Sequence, residues 1–213
     1  MITIKVGDIT FFEGDVVVNA ANNVGLGGGG VDGAIHRAAG PQLLEACKQL
    51  PIHVIEGTGP DRVPTKEIRI PTGGAVPTPA FNMPAKWIIH TVGPMWPADE
   101  DETARARNKD FPFEETTKGV QARNELSNCY EWPLLVATGM GMRSIAFPAI
   151  STGVYGCPVE TCAETALGLI HLYKAWGIDG GIDVTIYLYP ASHLATWKEV
   201  AERLNIPVTI DLD

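Results

Sequence analysis

One stretch of the chain, residues 19–33 (NAANNVGLGGGGVDG), combines amide side chains, four consecutive glycines and a carboxylate. Glycine has no Cβ, so a run of glycines allows several backbone N–H groups to point at one spot. The segment Val31 to Ala39 has helix-forming composition, and its N-terminus would add the positive end of a helix dipole. Such a set of donors is typical of an anion site, most often one for phosphate. Taken alone, the stretch is equally compatible with a flexible surface loop.

The glycine run differs from the two familiar nucleotide-binding fingerprints. No Gly-Lys-Ser/Thr follows it, and its spacing is not that of the dinucleotide-binding motif. The sequence therefore argues against a P-loop ATPase or GTPase. A net charge of −9 and a pI near 5.0 also disfavour non-specific binding of DNA or RNA, which relies on a basic surface. A small phosphate-bearing ligand, held by backbone N–H groups, is compatible with this charge.

Two titratable side chains follow the glycines at helical spacing. Asp32 and His36 are four residues apart, so they share one face of the predicted helix. One interpretation is structural: the helix dipole favours the carboxylate, and the histidine packs or pairs locally. The other is functional, because Asp32 follows the last glycine by two residues and would reach a ligand whose phosphates lie there. The residues alone leave both interpretations open.

A second glycine-containing loop, Ser151 to Cys157 (STGVYGC), repeats the arrangement. It follows the predicted strand Ser144 to Pro148 and leads into a predicted helix from Pro158 to about Trp176. Two strand–loop–helix units would supply two helix N-termini, enough to hold a diphosphate from both sides. A catalytic Cys157 is the less favoured alternative, because the sequence has no histidine near it.

The elements around these loops indicate an α/β protein. Strands are predicted at Ile2 to Val6, Val16 to Ala20, Glu67 to Pro71, Trp87 to Val92, Ser144 to Pro148 and Val184 to Tyr189, and helices at Val31 to Ala39, Gln42 to Leu50, Gly119 to Met142, Pro158 to Trp176 and Ser192 to Leu204. A hairpin-like return is expected at Gly14-Asp15, and Pro133 is expected to kink or divide its helix. Alternating strands and helices predict a sheet with helices on both faces and ligands at the carboxyl ends of the strands.

Length and composition limit the class of protein. The 213 residues suffice for one well-buried α/β domain, with insertion loops predicted at 51–66 and 96–118. No apolar run approaches the roughly 20 residues that span a bilayer, and the N-terminus lacks a signal-peptide pattern. The four cysteines show neither CxxC spacing nor zinc-ligand spacing to histidine, which predicts free thiols in a reducing cytoplasm and no metal site. His90, inside a predicted strand, is expected to be a satisfied core residue rather than a ligand contact.

Several motifs together resemble those of one family. They are GDIT (Gly7 to Thr10), VNAAN (Val18 to Asn22), GGGGVDGAIHRAAG (Gly27 to Gly40), PAKWIIHTVGP (Pro84 to Pro94) and FPAISTGVYGCP (Phe147 to Pro158). In this order they closely resemble the macrodomain family, in its MacroD-type branch. The resemblance covers most of the chain, and only 51–65 and 96–118 look longer than in a minimal member. It implies a single macrodomain over residues 1–213, with a three-layer α/β/α fold and a central mixed sheet.

The resemblance also implies a ligand, ADP-ribose, and a role for each motif. Asp8, with Ile9 beside it, would bind the adenine amino group, and Tyr189 would lie against the adenine ring. Gly27, Gly28, Gly29, Gly30 and Val31 would wrap the diphosphate together with Ser151, Thr152, Gly153, Val154 and Tyr155. Tyr155 would pack near the distal ribose, Asn22 would bind its hydroxyls, and Asn19 would support the loop or contact the ribose.

MacroD-type members hydrolyse esters of ADP-ribose, so the resemblance implies removal of mono-ADP-ribose from acidic side chains and deacetylation of O-acetyl-ADP-ribose. Asp32 would orient or deprotonate a water, His36 would fix Asp32 or its water network, and Asn22 would complete the catalytic set. No metal or cofactor is implied, and the expected partners are ADP-ribose and mono-ADP-ribosylated proteins, with no membrane. The alternative is a non-catalytic reader module that binds ADP-ribose, although a reader has no need of the carboxylate. Use of the cleft for RNA is disfavoured by the acidic charge.

Overall fold

The computed structural model describes residues 1–55, 66–97 and 117–212. In these ranges the strands are β1 (Ile2–Val6), β2 (Val16–Ala20), β3 (His53–Ile55), β4 (Lys66–Ile68), β5 (Ala75–Pro79), β6 (Trp87–Thr91), β7 (Ser144–Pro148), β8 (Asp183–Leu188) and β9 (Thr209–Asp211). The α-helices are α1 (Gly30–Ala39), α2 (Pro41–Lys48), α3 (Thr117–Gly139), α4 (Val159–Ala175) and α5 (Leu194–Arg203). Two short 3₁₀ helices cover Ile9–Phe11 and Ala191–His193.

Seven of the strands form one mixed sheet in the order β5-β6-β2-β7-β8-β1-β9. All neighbours in it are parallel except β5, which runs antiparallel to β6 at one edge. The strands β3 and β4 form a separate antiparallel pair. Because β2, β7, β8 and β1 are parallel neighbours, their carboxyl ends and the loops that follow them meet at one edge of the sheet.

Helices cover both faces of this sheet. Along β2, Val16 and Val18 pack in a cluster with apolar residues of α3, α4 and α5. Val17, between them, packs in a second cluster with apolar residues of α1 and α2. All three valines are fully buried, because successive side chains of a strand point to opposite faces of the sheet and both faces are covered here. The three-layer α/β/α architecture with a mixed central sheet is therefore confirmed.

The structure corrects two of the predicted features. The Gly14-Asp15 turn does not make a hairpin, because β7 and β8 lie between β1 and β2. Asp15 instead accepts the backbone N–H of Arg143 at 2.6 Å and of Ser144 at 3.2 Å, tying the start of β2 to β7. Pro133 does not divide its helix, which runs unbroken from Thr117 to Gly139.

The two predicted insertion loops fall largely outside the described residues. Within the first, β3 occupies His53–Ile55, where a loop without a strand was expected. Residues 56–65 and 98–116 are not described. All four cysteines lie in described regions as buried thiols, without a disulfide. None of the described helices is long and apolar enough to cross a membrane.

Candidate active site

A cleft of about 360 Å³ opens at the carboxyl edge of the sheet. It lies over the ends of β2 and β7, between the first turn of α1 and the loop that follows β7. Its lining residues are Ala20, Ala21, Asn22, Gly29, Gly30, Val31, Asp32, Gly93, Ala149, Ile150, Ser151, Gly153, Val154 and Tyr155. The two glycine-containing loops thus face one another across the cleft. No residue of α4 lines it, so only one of the two expected helix N-termini reaches the site.

The glycine run forms the entry into α1. Gly29 is the N-cap residue and no side chain caps the helix, so the first-turn N–H groups lack the partner that a capping side chain would provide. Gly30 has φ 58°, a left-handed value that suits glycine. A Cβ on Gly33 would lie 2.5 Å from the Gly28 carbonyl oxygen, so the helix can approach the loop only because residue 33 is glycine.

Asn22 holds the loop between β2 and the glycines in shape. Its amide nitrogen donates to the Gly27 carbonyl at 3.0 Å, and its oxygen accepts from the N–H groups of Val24 and Gly25, both at 3.1 Å. Gly27 itself has φ 88° and lies beside the His36 ring. Asn22 lines the cleft, so the residue expected to bind ribose hydroxyls also fixes the backbone of its own loop.

Asp32 is a buried carboxylate with one occupied oxygen. Its Oδ1 accepts the Asn19 amide N–H at 2.7 Å, and His36 Nε2 lies 3.6 Å from the same oxygen. Its Oδ2 has no hydrogen-bond partner among the described residues, although Asp32 lines the cleft. Only 4% of Asp32 is exposed. A buried polar atom without a partner in the protein is unfavourable, and a water or a ligand hydroxyl that entered from the cleft would supply the partner.

Burial dominates the electrostatics of this carboxylate. It raises the pKa of Asp32 above the ordinary value, while the Asn19 hydrogen bond and then His36 oppose the shift. A carboxylate whose pKa is raised is, in its ionised form, a better proton acceptor than a surface carboxylate. The environment therefore suits a general base or a water-orienting group.

Asn19 lies behind Asp32 rather than in the cleft. It is fully buried, and its amide nitrogen also lies 3.0 Å from His90 Nδ1. His90 Nε2 in turn lies 2.8 Å from the Thr78 hydroxyl. Burial, with a smaller effect of His36, lowers the pKa of His90 to about 3, so the ring is neutral near pH 7. His90 is therefore a buried, hydrogen-bonded residue, and the side-chain contacts of Asn19 are with Asp32 and His90 rather than with the loop.

Three buried or half-buried side chains could in principle hold a metal ion. Ligand atoms of His36, Cys47 and His90 lie within 4.8 Å of one another, a donor set that suits zinc. Both ring nitrogens of His90 are already engaged, however, by Asn19 and Thr78. Burial also raises the pKa of Cys47 to about 11, which opposes the thiolate that zinc requires. These contacts favour the hydrogen-bonded arrangement over metal binding.

The loop after β7 forms the opposite wall. Ser151 has φ 65°, an uncommon value for a residue with a side chain, and its hydroxyl is buried without a partner among the described residues. A Cβ on Gly93 would lie 2.0 Å from Ser151 Oγ, so glycine at 93 makes room for this turn. Cys157 N–H donates to the Ser151 carbonyl at 2.9 Å and Trp96 N–H to the Tyr155 carbonyl at 2.7 Å. The loop therefore turns these carbonyls toward the protein.

The remaining predicted site residues lie beside the cleft rather than in it. Asp8 is exposed at the end of β1 and caps the 3₁₀ helix by accepting the Thr10 N–H at 2.9 Å, while Ile9 is buried in the core. Tyr189, at the end of the neighbouring strand β8, is 85% exposed. Gly27, Gly28, His36 and Thr152 are close to the lining residues in sequence without lining the cleft themselves.

Comparison with known proteins identifies the family. The Macro domain profile matches residues 18–109 and 111–166. The chain belongs to the macrodomain family. A macro domain-containing protein of Streptomyces coelicolor is 42% identical over 174 residues, covering 81% of this macrodomain and 84% of the relative. A protein of an Enterobacter species named O-acetyl-ADP-ribose deacetylase is 44% identical over 169 residues, covering 79% and 76% respectively.

Solved structures agree with this assignment. The Oceanobacillus iheyensis macrodomain with ADP has a TM-score of 0.70 and 34% identity, covering 94% of this chain and 89% of the other. The Trypanosoma brucei macrodomain in complex with ADP-ribose has a TM-score of 0.68 and 30% identity, covering 93% and 68%.

Some residues that shape the site of this macrodomain were not identified from the sequence. Thr78 lies on β5, a strand that the sequence did not predict, and its contact with His90 depends on the pairing of β5 with β6. Gly93 and Gly33 act by leaving room for neighbouring atoms. A glycine three residues after the glycine run was the available signal for Gly33, whereas nothing local marked Thr78.

Proposed function

We propose that this macrodomain is a MacroD-type hydrolase that binds ADP-ribose, removes mono-ADP-ribose from acidic side chains and deacetylates O-acetyl-ADP-ribose. The proposal rests mainly on the Asp32 carboxylate, which lines the cleft: one of its oxygens accepts from Asn19, and the other has no partner among the described residues. The walls of the cleft are suited to phosphate. Relatives named O-acetyl-ADP-ribose deacetylase at 44% and 47% identity support it. Mono-ADP-ribosylated proteins would be its macromolecular partners.

The walls of the cleft suit a diphosphate. The uncapped first turn of α1 offers N–H groups and the positive end of a helix dipole. Across the cleft, the loop around Gly153 turns carbonyls toward the protein, which leaves backbone N–H groups of Thr152 to Val154 for the ligand. A chain with a net charge of −9 can hold an anion in this way without basic side chains.

The edge of the sheet suits the length of ADP-ribose. From β2 to β1 there are three strand spacings, about 14 Å in all. Tyr189 and Asp8 would bind the adenine at the β8 and β1 end, as an exposed aromatic face and an exposed acceptor. The distal ribose would then lie at the β2 end, between Asn22, Tyr155 and Asp32.

The proposed chemistry follows from this placement. Asp32 Oδ2 accepts a hydrogen bond from a water and takes its proton as the water attacks the ester carbonyl. The ester C–O bond then breaks, and the acyl group leaves as the carboxylic acid. The ribose oxygen, which Asn22 orients, takes the proton back from Asp32 and becomes a hydroxyl. His36 stabilises the ionised Asp32 through its contact with Oδ1. No step requires a metal or a cofactor.

The test is release of ADP-ribose from a protein mono-ADP-ribosylated on glutamate, run beside deacetylation of O-acetyl-ADP-ribose. Asp32→Ala is expected to lower turnover by about 100-fold or more, the usual contribution of a general base, while ADP-ribose affinity measured by calorimetry changes little. Asp183→Asn is the control, because this carboxylate is exposed and pairs only with the chain's amino group among the described contacts. ADP-ribose binding without release of either product would overturn the hydrolase in favour of a reader.

A further inference from the structure

A buried hydrogen-bond chain connects the Asp32 carboxylate to the edge of the sheet. On β2, the Asn19 amide nitrogen lies 2.7 Å from Oδ1 of Asp32 on α1 and 3.0 Å from Nδ1 of His90 on β6. Nε2 of His90 then lies 2.8 Å from the hydroxyl of Thr78 on β5. No member is more than 4% exposed. Asn19 and His90 are directly paired positions of neighbouring strands, so the sheet itself fixes their separation.

The direction of every bond in the chain follows from the charge on Asp32. An ionised carboxylate can only accept, so the Asn19 amide must turn its nitrogen toward it. The second hydrogen of that nitrogen then points to His90 Nδ1, which must be the acceptor. A neutral imidazole that accepts at Nδ1 carries its proton on Nε2, and this N–H donates to the Thr78 hydroxyl.

We propose that His90 is a positioning residue for Asp32: it takes the neutral Nε2–H form, whose N–H the Thr78 hydroxyl accepts, so that Asn19 keeps its amide N–H on the carboxylate. This inference rests on the proposed function, in which ionised Asp32 activates water. Cys47 Sγ also lies 3.9 Å from His90 Nε2, but sulfur is a weaker acceptor than the Thr78 hydroxyl, which lies at 2.8 Å.

The opposite tautomer would disable the carboxylate. A proton on His90 Nδ1 would require Asn19 to turn its oxygen toward the ring, and the same oxygen would then face Asp32 Oδ1. Two acceptors in contact are tolerated only if Asp32 is protonated. Within the described ranges, the titratable groups outside this hydrogen-bond chain that interact electrostatically with Asp32 are His36 on its own helix and Cys47 on α2.

The test compares Thr78→Val, which removes the acceptor but keeps the shape, with Thr78→Ser, which keeps the hydroxyl. We expect Thr78→Val to lower kcat on the order of tenfold, because one hydrogen bond to a charged group is weakened. The acid limb of its pH–rate profile should move to higher pH, with ADP-ribose affinity unchanged. Thr78→Ser should restore both properties. A uniform loss without movement of the acid limb, or no loss, would overturn the proposal.

The tautomer can be measured without turnover. Nitrogen-15 NMR of labelled histidine distinguishes the two ring forms, with His90→Gln used to assign the signal. The proposal requires the Nε2–H form in the wild type and a shift toward Nδ1–H in Thr78→Val, and an Nδ1–H wild type refutes it. If the wild type hydrolyses neither ester but shows the Nε2–H form, the proposed function fails while the hydrogen-bond chain stands. If Thr78→Val does not fold, the wild-type spectrum still decides.

Discussion

Gly28 lies beside the unpartnered oxygen of Asp32, and Gly28→Ala is expected to reduce turnover while leaving the fold intact. A Cβ at this position would lie 3.0 Å from Asp32 Oδ2 and 3.0 Å from Asn22 Nδ2. Both distances are a few tenths of an ångström shorter than ordinary contacts, so both side chains must move. Neither moves freely, because Asn22 holds the Gly27 carbonyl and Asp32 holds Asn19.

The effects on stability and on activity should differ in size. Overpacking lowers the free energy of unfolding by about 1–3 kcal/mol. The lower entropy of the unfolded chain with alanine in place of glycine raises it by about 0.4–1 kcal/mol. Gly28 is not among the glycines with positive φ, so alanine adds no backbone strain. The net loss of about 1 kcal/mol corresponds to a Tm lower by about 2–4 °C. Turnover should fall by about 100-fold, because a methyl group displaces the proposed water and small misplacements have effects of this size.

The assay is steady-state deacetylation of O-acetyl-ADP-ribose, with calorimetric ADP-ribose binding and thermal unfolding measured in parallel. Gly168→Ala is the matched control, because a Cβ there would meet nothing within 4 Å and the residue lies on α4 away from the cleft. It should raise Tm slightly, since alanine favours helix, and leave turnover unchanged. Turnover of Gly28→Ala within about threefold of wild type would refute the assignment of Oδ2 as the reactive oxygen.

Two further predictions concern the same buried groups. Burial raises the folded-state pKa of Asp32, so its ionised form destabilises the fold above that pKa. Asp32→Asn should therefore raise Tm at pH 8. This gain in Tm should shrink as the pH falls toward about 4, the ordinary range of carboxyl pKa values. A lower Tm than wild type at pH 8 would contradict this. Treatment with EDTA should leave ester hydrolysis unchanged, and added zinc should not inhibit it. If zinc does inhibit, and Cys47→Ala removes this inhibition, then His36, Cys47 and His90 bind metal and the prediction is wrong.

Elements with a clear local pattern were predicted well from the sequence. The ranges of β1, β2 and β7 match their predictions, because each is a run with strand composition bounded by turn residues. The two glycine-containing loops meet because they follow β2 and β7, which are parallel neighbours. The order of strands was not readable, which is why the Gly14-Asp15 hairpin was wrong: strands close in sequence need not pair.

The missed parts depend on pairing rather than on local pattern. β5 contains Pro77 and Pro79, which disfavour a central strand, yet it is an edge strand where proline is tolerated. Without β5 there was no way to place Thr78 against His90. β9 is only three residues long, Thr209–Asp211, too short for a periodic signal.

The open oxygen of Asp32 also bears on how such a site evolves. If Asp32 activates water as proposed, selection on turnover would retain a carboxylate whose burial is unfavourable. In a lineage where recognition of the ligand is enough, loss of that carboxylate would improve stability and leave the two glycine-containing loops unchanged. The change from hydrolase to reader would then be a single stabilising substitution, whereas the reverse substitution would restore a buried charge and lower stability.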